Sequence, residues 1–489
     1  MNFADPQENP DNGPVSGRLS LILGAAIVDG SGVVVPPGGN MGAAVLVRVE
    51  GQEVTLLATG PTPDVLRHAA AGDLEREGWV MRPGAVLLPA MVNAHAHLDL
   101  THIGARRHDP ARGFVEWVGM VRAERARDEV TTRVAVQAGL ALSARGGVVA
   151  IGDICGAVEG VPRDWAAREL AAHVPMGVSF VEFFGLGAGL GGGLGGGPER
   201  ARAGLEATGL KWGEELGRGE VRVSLSPHAP YSVGRDGFGL AGYLAGSNAA
   251  RRAAVCTHLA ECAEERQLVT RGDGPFAELL KGIGIWNEEI AATFGRDRSP
   301  VARVLGGGGG VGGDPWLTAG DIVVHCNDVD DEDMALLMKA KVHVVFCPRA
   351  SAYFGAAAHF GPHRYREMLE AGVNVALGTD SIINLPEHEA TGSGARIGVL
   401  DEMRLLARRD GVDATTVLAM GLGRGARALG LDEKMFGLSD PGGAGERVRR
   451  ISGVVSVDAR LEAHVSRAAV LEAVVKGDGA VSMVEPVWA

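Results

Sequence analysis

The rhythm of apolar positions changes near residue 85. Residues 19–60 hold short β-type runs, LSLILGAAIV, AAVLVRVE and EVTLLATG, broken by Gly and Pro, and they predict a small antiparallel sheet. From there to about residue 412, strand-like apolar runs alternate with longer amphipathic segments. AVLLPAMVNAH precedes GFVEWVGMVRAERA; GVVAIGDI follows; GVSFVEFFG precedes ERARAGLEA; VRVSLSPHA and AVCTHLAE come next; DIVVHCND precedes DEDMALLMKA, VHVVFCP precedes RYREMLEAG, and VNVALGTD precedes LDEMRLLAR. Eight buried-type strands, most trailed by a helical pattern, are the arithmetic of a (β/α)8 barrel. After residue 412 a helical stretch, ATTVLAMGLGRGARALG, leads to a β-rich tail, VRRISGVVSVD and GDGAVSMVEPVWA, expected to complete the N-terminal sheet. The predicted fold class is α/β: a (β/α)8 TIM barrel over 89–440, with a small discontinuous β-sandwich domain from 1–88 and 441–489.

Two segments interrupt this pattern, at 185–197 and 305–313, and both are too Gly-rich to hold a fixed helix or strand. Neither has the G-x-x-x-x-G-K-[ST] spacing of a phosphate cradle, so they read as surface insertions.

The chain has 489 residues, and 46% hydrophobic with 22% charged residues is the balance of a globular protein with ample core. Asp+Glu 60 against Lys+Arg 47 gives a net charge of −13, which argues against nucleic acid and anionic membrane as partners. No run reaches the length of a transmembrane helix, and MNFADPQENPDNG lacks the layout of a signal peptide, so a cytoplasmic location is expected. The five cysteines (155, 256, 262, 326 and 347) show no C-x-x-C spacing and imply no disulfide framework.

Polar residues fall where chemistry would need them, because most strand-like runs end on His, Asp or Glu, and that rim is where barrel active sites form. His95 and His97 are two apart, which in extended chain puts both imidazoles on one face. His258, His325 and Asp380 close three later runs. Any one of these histidines, taken singly, reads better as a hydrogen-bonded core or surface residue; five ligand-type residues at strand ends do not. Imidazoles with one carboxylate suit Zn²⁺ or Fe²⁺ better than Mg²⁺ or Ca²⁺. Glu261, three residues after His258, has two readings: a proton carrier for hydrolysis, or a solvated acid in the first turn of a helix.

The order H-x-H, H-x-x-E, His, G-T-D-S resembles the amidohydrolase superfamily, and within it the mononuclear aminohydrolase branch of deaminases and triazine hydrolases. LLPAMVNAHAHLDL resembles the first-strand motif, with Ala90 where Gly is usual and Ala96 where Thr is common; LSPHAPYS, THLAECAEE, VVHCND and LGTDS resemble the fourth, fifth, sixth and eighth. GFVEWVGMVRAER, VEFFG and THLAECAEERQLVTRGDGPFAELL look most like aminodeoxyfutalosine deaminase-type proteins, while CPRASAYFG departs from that pattern at Ala350 and Ser351. The resemblance implies one divalent ion, Zn or Fe, held by His95, His97, His258 and Asp380. It implies Glu261 as proton shuttle, His325 orienting the attacking water, Asp380 sharing in catalysis, and His228, Glu116, Trp117, Tyr231 and Arg349 contacting the substrate. No Lys lies near Ser226-Pro227-His228 to bridge a second metal.

The activity implied is hydrolytic deamination of an aminated, purine nucleoside-like small molecule by a metal-dependent hydrolase, with a homodimer left open. Hydrolysis of a C–Cl, C–S or amide bond on the same scaffold is the alternative, since activated water does not by itself choose a leaving group. A non-catalytic homologue would be expected to lack ligands, and none is missing. The H-x-E with P-C-x-x-C of cytidine deaminases is absent. Phe114, Trp117, Tyr231 and Phe354 follow the first, fourth and seventh strands and could face a planar ring, Trp117 reading equally as a helix residue packed on the barrel.

Overall fold

The computed structural model describes residues 17–37, 42–68, 71, 78–174, 176–186, 197–217, 220–246, 252–307, 313–439, 448–461 and 465–485. Most of the two Gly-rich insertions and the domain boundary expected at 440/441 lie outside the described residues.

Among the described residues, the central part of the chain has eight strands in parallel array: β1 (Met91–Ala96), β2 (Val148–Cys155), β3 (Met176–Phe183), β4 (Glu220–Pro227), β5 (Cys256–Leu259), β6 (Ile322–His325), β7 (His343–Phe346) and β8 (Asn374–Leu377). Every residue of β2 and β3 is buried, as expected where helices cover a parallel sheet on one side and a filled barrel interior lies on the other. Helices Phe114–Glu124 and Glu129–Arg145 follow β1, Ala263–Arg271 follows β5, Asp331–Ala340 follows β6 and Val399–Arg409 follows β8. The chain is thus a TIM-barrel type of α/β fold.

A single closed ladder is not found among the described residues, since the strands pair in two runs, β1–β2–β3–β4 reversed in sheet order and β5–β6–β7–β8. The outer edge of β4 is taken near its start by the antiparallel pair Glu215–Leu216, and β5 has only four residues. The runs therefore meet near their C-terminal ends. At one seam the His258 amide donates to the His228 carbonyl at 3.0 Å; at the other the amides of Thr379 and Asp380 donate to the His95 carbonyl at 3.0 and 3.1 Å. Buried Asn93 fastens that second seam, accepting from the Thr379 amide at 3.1 Å and donating to its hydroxyl at 2.7 Å. A Cβ at Gly378 would lie 2.8 Å from the His95 Cβ, so the strands approach this closely only over glycine. Both seams thus carry candidate site residues.

The remaining strands form two five-stranded sheets, each mixed rather than antiparallel as the strand pattern predicted. The run LSLILGAAIV divides at Ala25, whose amide bonds the Ala85 carbonyl at 2.8 Å. Arg18–Gly24 enters one sheet, parallel to Trp79–Met81, and Ala26–Asp29 enters the other, parallel to Val86–Pro89. The division leaves no mark in an unbroken apolar run. Ile22, Val45 and Leu56 from the first sheet and Ile27, Leu87 and Val454 from the second share one buried cluster. The tail strands do pair with N-terminal ones, Arg449–Ile451 with Glu53–Pro61 and Val454–Val457 with Val86–Pro89. After them, before the last strand Val481–Glu485, lies a helix absent from the sequence reading, Arg467–Val475, started by the Ser466 side chain accepting from the Ala469 amide at 3.2 Å.

All five cysteines are buried and unpaired with one another. No helix among the described residues is long and apolar enough to cross a membrane.

Candidate active site

His95 lies in β1, and His97 immediately follows it. The two-residue spacing in extended backbone brings their ring centroids to 4.9 Å. His258 from β5 and His325 from the end of β6 come within 5.1 and 5.9 Å of the His95 ring. Asp380, just past β8, sets a carboxylate oxygen 3.6 Å from His97 Nε2 and 3.9 Å from His95 Nε2. Three overlapping groups, His95/His258/His325, His95/His97/Asp380 and Glu261/His325/Asp380, each gather ligand-type atoms within 4.8 Å. These side chains converge partly because the backbone turns out of its strands under strain: φ is +54° at Ala260, +74° at His325 and +57° at Asp380.

The hydrogen bonds leave ligand nitrogens free. His258 Nδ1 donates to the His228 carbonyl at 2.9 Å, so its Nε2 carries a lone pair, 3.2 Å from His97 Nε2. Among the described residues, neither ring nitrogen of His95 nor Nδ1 of His97, all buried, has a hydrogen-bond partner. Such orphaned polar atoms cost stability unless something binds them, and a cation fits that need. Burial, then the neighbouring imidazoles, hold His95 and His97 well below the usual histidine range, so they are neutral and able to ligate. Burial also pushes Asp380 up to about 7.

Glu261 is 5% exposed and precedes helix Ala263–Arg271, so it is not a solvated first-turn acid. Its Oε1 is 3.3 Å from His325 Nε2. Burial, followed by the charges of Asp380, Glu265 and Glu264, raises its carboxyl well above the ordinary range, which favours holding a proton. His228 is kept neutral, its pKa lowered to about 3 by burial against the opposing pull of Glu182. Its Nδ1 lies 2.7 Å from the Ser232 hydroxyl.

A cavity of about 740 Å³ opens over this cluster, lined by His97, His228, His258, Glu261, His325 and Asp380 on its floor. Phe114, Trp117, Phe184, Tyr231 and Phe276 supply aromatic walls. Tyr231 stacks on Phe276 at 4.1 Å between centroids, and Phe114 packs on Trp117 at 5.4 Å. The size lies within the range of small-molecule sites, and aromatic walls above a polar floor suit a flat heteroaromatic ring.

The sequence model of the amidohydrolase family matches residues 86–435. The chain belongs to that family. Aminodeoxyfutalosine deaminase of Deinococcus radiodurans is 27% identical over 419 residues, spanning 84% of this chain and 85% of that protein. A 5-methylthioadenosine/S-adenosylhomocysteine deaminase of Moorella thermoacetica is 28% identical over 365 residues, 72% of this chain and 70% of that one. Among solved structures, Helicobacter pylori aminofutalosine deaminase in complex with methylthio-coformycin superposes with a TM-score of 0.64 at 18% identity, over 94% of this chain and 97% of that one. A zinc-bound adenosine deaminase from Xanthomonas campestris gives 0.60 at 20% identity, over 95% and 91%. Both share the amidohydrolase fold.

Not every residue expected at this amidohydrolase's site reaches the cavity. Glu116 is half exposed and pairs with Arg112 one helical turn away, at 2.6 Å. Arg349 is buried but committed elsewhere, donating to Glu402 at 2.5 Å, to the Gly398 carbonyl at 3.1 Å and to Glu389. Phe354 backs the aromatic wall, 4.8 Å from Phe114 and 5.0 Å from Trp117, without lining it. Trp117 itself both lines the cavity and packs on Phe114 and Phe354. The sequence reading missed Phe184, Phe276, Arg125 and Glu182. Glu182 and Phe184 sit in VEFFG, where strand alternation could have pointed to Glu182; Arg125, bonded to Glu182 at 3.3 Å and Asp99 at 3.1 Å, gave no such signal.

Proposed function

We propose that this amidohydrolase removes the amino group from an aminated purine nucleoside-like substrate, an aminodeoxyfutalosine-like molecule, by metal-dependent hydrolysis. The observation that carries the reading is Glu261: a buried, proton-retaining carboxyl beside a neutral histidine cluster, on the floor of an aromatic-walled cavity. Names borne by relatives at 27% and 28% identity support the leaving group and substrate class.

His95, His97, His258 and Asp380 would hold one divalent ion, zinc or iron, a donor set suited to either. When bound, such an ion supplies Lewis acidity and makes water a stronger acid. His325 Nε2 would orient the attacking water, and Asp380 would take its proton while Glu261 holds its own. Attack at the amino-bearing carbon breaks aromaticity, so a ring nitrogen must be protonated as the tetrahedral carbon forms. The departing amine then needs a second proton. Glu261 would give its own proton to the ring nitrogen, pass to the amine the proton freed as the new C–OH becomes a carbonyl, and regain one from Asp380. His228, Trp117 and Tyr231 would meet the ring from above, with Phe114, Phe184 and Phe276 around it.

Strand pairing between residues 18–89 and 449–485 supports the further reading that both ends of the chain form one discontinuous β-sandwich domain beside the barrel, near 1–88 and 441–489. The first boundary would fall within the strand Val86–Pro89.

A panel of aminated purine nucleosides, chlorotriazines and simple amides, followed for ammonia and chloride, tests the function. Ammonia from the nucleosides alone is expected. Chloride release in preference to ammonia would replace the proposal with the alternative leaving group.

A further inference from the structure

Three acids of one segment, Glu261, Glu264 and Glu265, look alike in sequence and do different things in space. Glu264 accepts from the Phe114 amide at 2.7 Å and so starts the helix that carries Trp117. Arg266 donates to Asp328 at 2.8 Å, tying this helix to the loop after β6. Glu265 is fully buried, does not itself line the cavity, and among the described residues its hydrogen bonds include no cationic partner. Instead its two carboxylate oxygens each accept a backbone amide, Oε1 from Ala260 at 3.1 Å and Oε2 from Glu261 at 2.8 Å.

Those two amides flank the strained residue of the loop, Ala260, held at φ +54° although it is not glycine. The same short stretch is gripped from the other side by the loop after β6. The amides of Asn327 and Asp328 donate to the Ala260 carbonyl at 2.9 and 3.2 Å. The Asn327 side-chain amide donates to the Glu261 carbonyl at 3.0 Å. The peptide group between Ala260 and Glu261 is thus fixed on both its donor and acceptor sides by buried groups, and the Glu261 carbonyl is held by Asn327. Glycine is absent from this turn, so without those bonds the backbone would relax toward ordinary φ and carry the Glu261 carboxyl with it.

We propose that Glu265 and Asn327 are positioning residues that clamp the Ala260–Glu261 turn and thereby hold the Glu261 carboxyl in line with His325. The claim rests on the reading of Glu261 as the proton carrier but not on the identity of the leaving group. Glu265→Gln preserves volume while replacing one acceptor oxygen by an NH2 that faces an amide N–H. Asn327→Ala removes the grip from the β6 side and serves as second variant where the first does not fold.

Two readouts decide the matter. Hydrogen exchange of the peptide covering residues 259–262, which needs no turnover, should quicken in either variant while exchange in β1 and β8 is unchanged; unchanged exchange at 259–262 overturns the clamp. In turnover on whichever substrate the wild type accepts, either variant should lower kcat by about 10–100-fold, the scale of a misplacement near 1 Å, with KM and metal content held. The same substitution placed on a Glu261→Gln background should cost almost nothing more, because a residue that acts through Glu261 has nothing left to position. An equal loss in both backgrounds would show a general structural role and overturn the proposal. A wild type that releases ammonia from no substrate would defeat the functional reading, and the exchange experiment would still decide the clamp.

Discussion

His363 lies behind the site, donating from Nε2 to the His325 carbonyl at 2.8 Å and accepting at Nδ1 from the Tyr365 amide at 3.0 Å. Both bonds need the neutral ring, since a proton on Nδ1 would face an N–H. Burial lowers its pKa to about 4, outweighing the bond to His325. In the unfolded chain the same ring titrates near 6.5. Between those values the unfolded state takes up a proton that the folded state refuses, so the contribution is complete above about 6.5 and is lost as pH falls toward 4. Thermal melts from pH 7 to 4 should therefore show a shallower loss of Tm for His363→Gln, which can keep both hydrogen bonds without titrating; an identical slope would show that His363 is not the titrating group. At the neighbouring cluster, His95→Ala and Asp380→Ala should each lower metal content from about one ion per chain, with activity falling in step, as read by elemental analysis. Full metal occupancy and activity in either variant would remove that residue from the site. Residue types and strand-end positions made this cluster legible in the sequence. His363 was not, because its role depends on which backbone groups a loop presents to its two nitrogens.

At the scale of elements, the eight strands and the helix after the first could be read from periodicity, whereas the loops after β5 and β6 could not. Arg349 shows the limit. The motif CPRASAYFG suggested a substrate contact, but helix Pro348–Tyr353 directs the guanidinium toward helix Val399–Arg409, where it meets buried Glu402. Arg349→Ala would leave that carboxylate uncompensated and should destabilise the fold by about 3–5 kcal/mol in denaturant titrations. KM of the surviving folded fraction should stay unchanged; a raised KM without loss of stability would restore the substrate-binding reading. The aromatic walls give the opposite expectation. Trp117→Ala and Tyr231→Ala should raise KM for a heteroaromatic substrate by about 10-fold or more each, as loss of stacking worth about 1 kcal/mol combines with lost apolar burial. Unchanged KM in both would remove the walls from recognition.

In the whole molecule, the site lies where the two strand runs meet, so its ligand-type residues come from β1, β5 and the turn just past β8, far apart in sequence. An ion shared by residues from both runs would bind the folded chain far better than the unfolded one and so should raise Tm, with chelation lowering it reversibly. The split of the terminal segments into two mixed sheets was illegible because strand pairing is decided by distant partners, while the overall α/β pattern, a local property, was plain. Tertiary context likewise turned three similar acids, Glu261, Glu264 and Glu265, into a proton carrier, a helix start and a brace under the present account. The most direct test of that account is the turnover of metal-loaded Glu261→Gln on an aminated purine nucleoside that the wild type deaminates. With metal content equal to the wild type, ammonia release should fall by about 10²–10⁴-fold, the usual contribution of general acid–base catalysis. Near-normal ammonia release at full metal occupancy would contradict it.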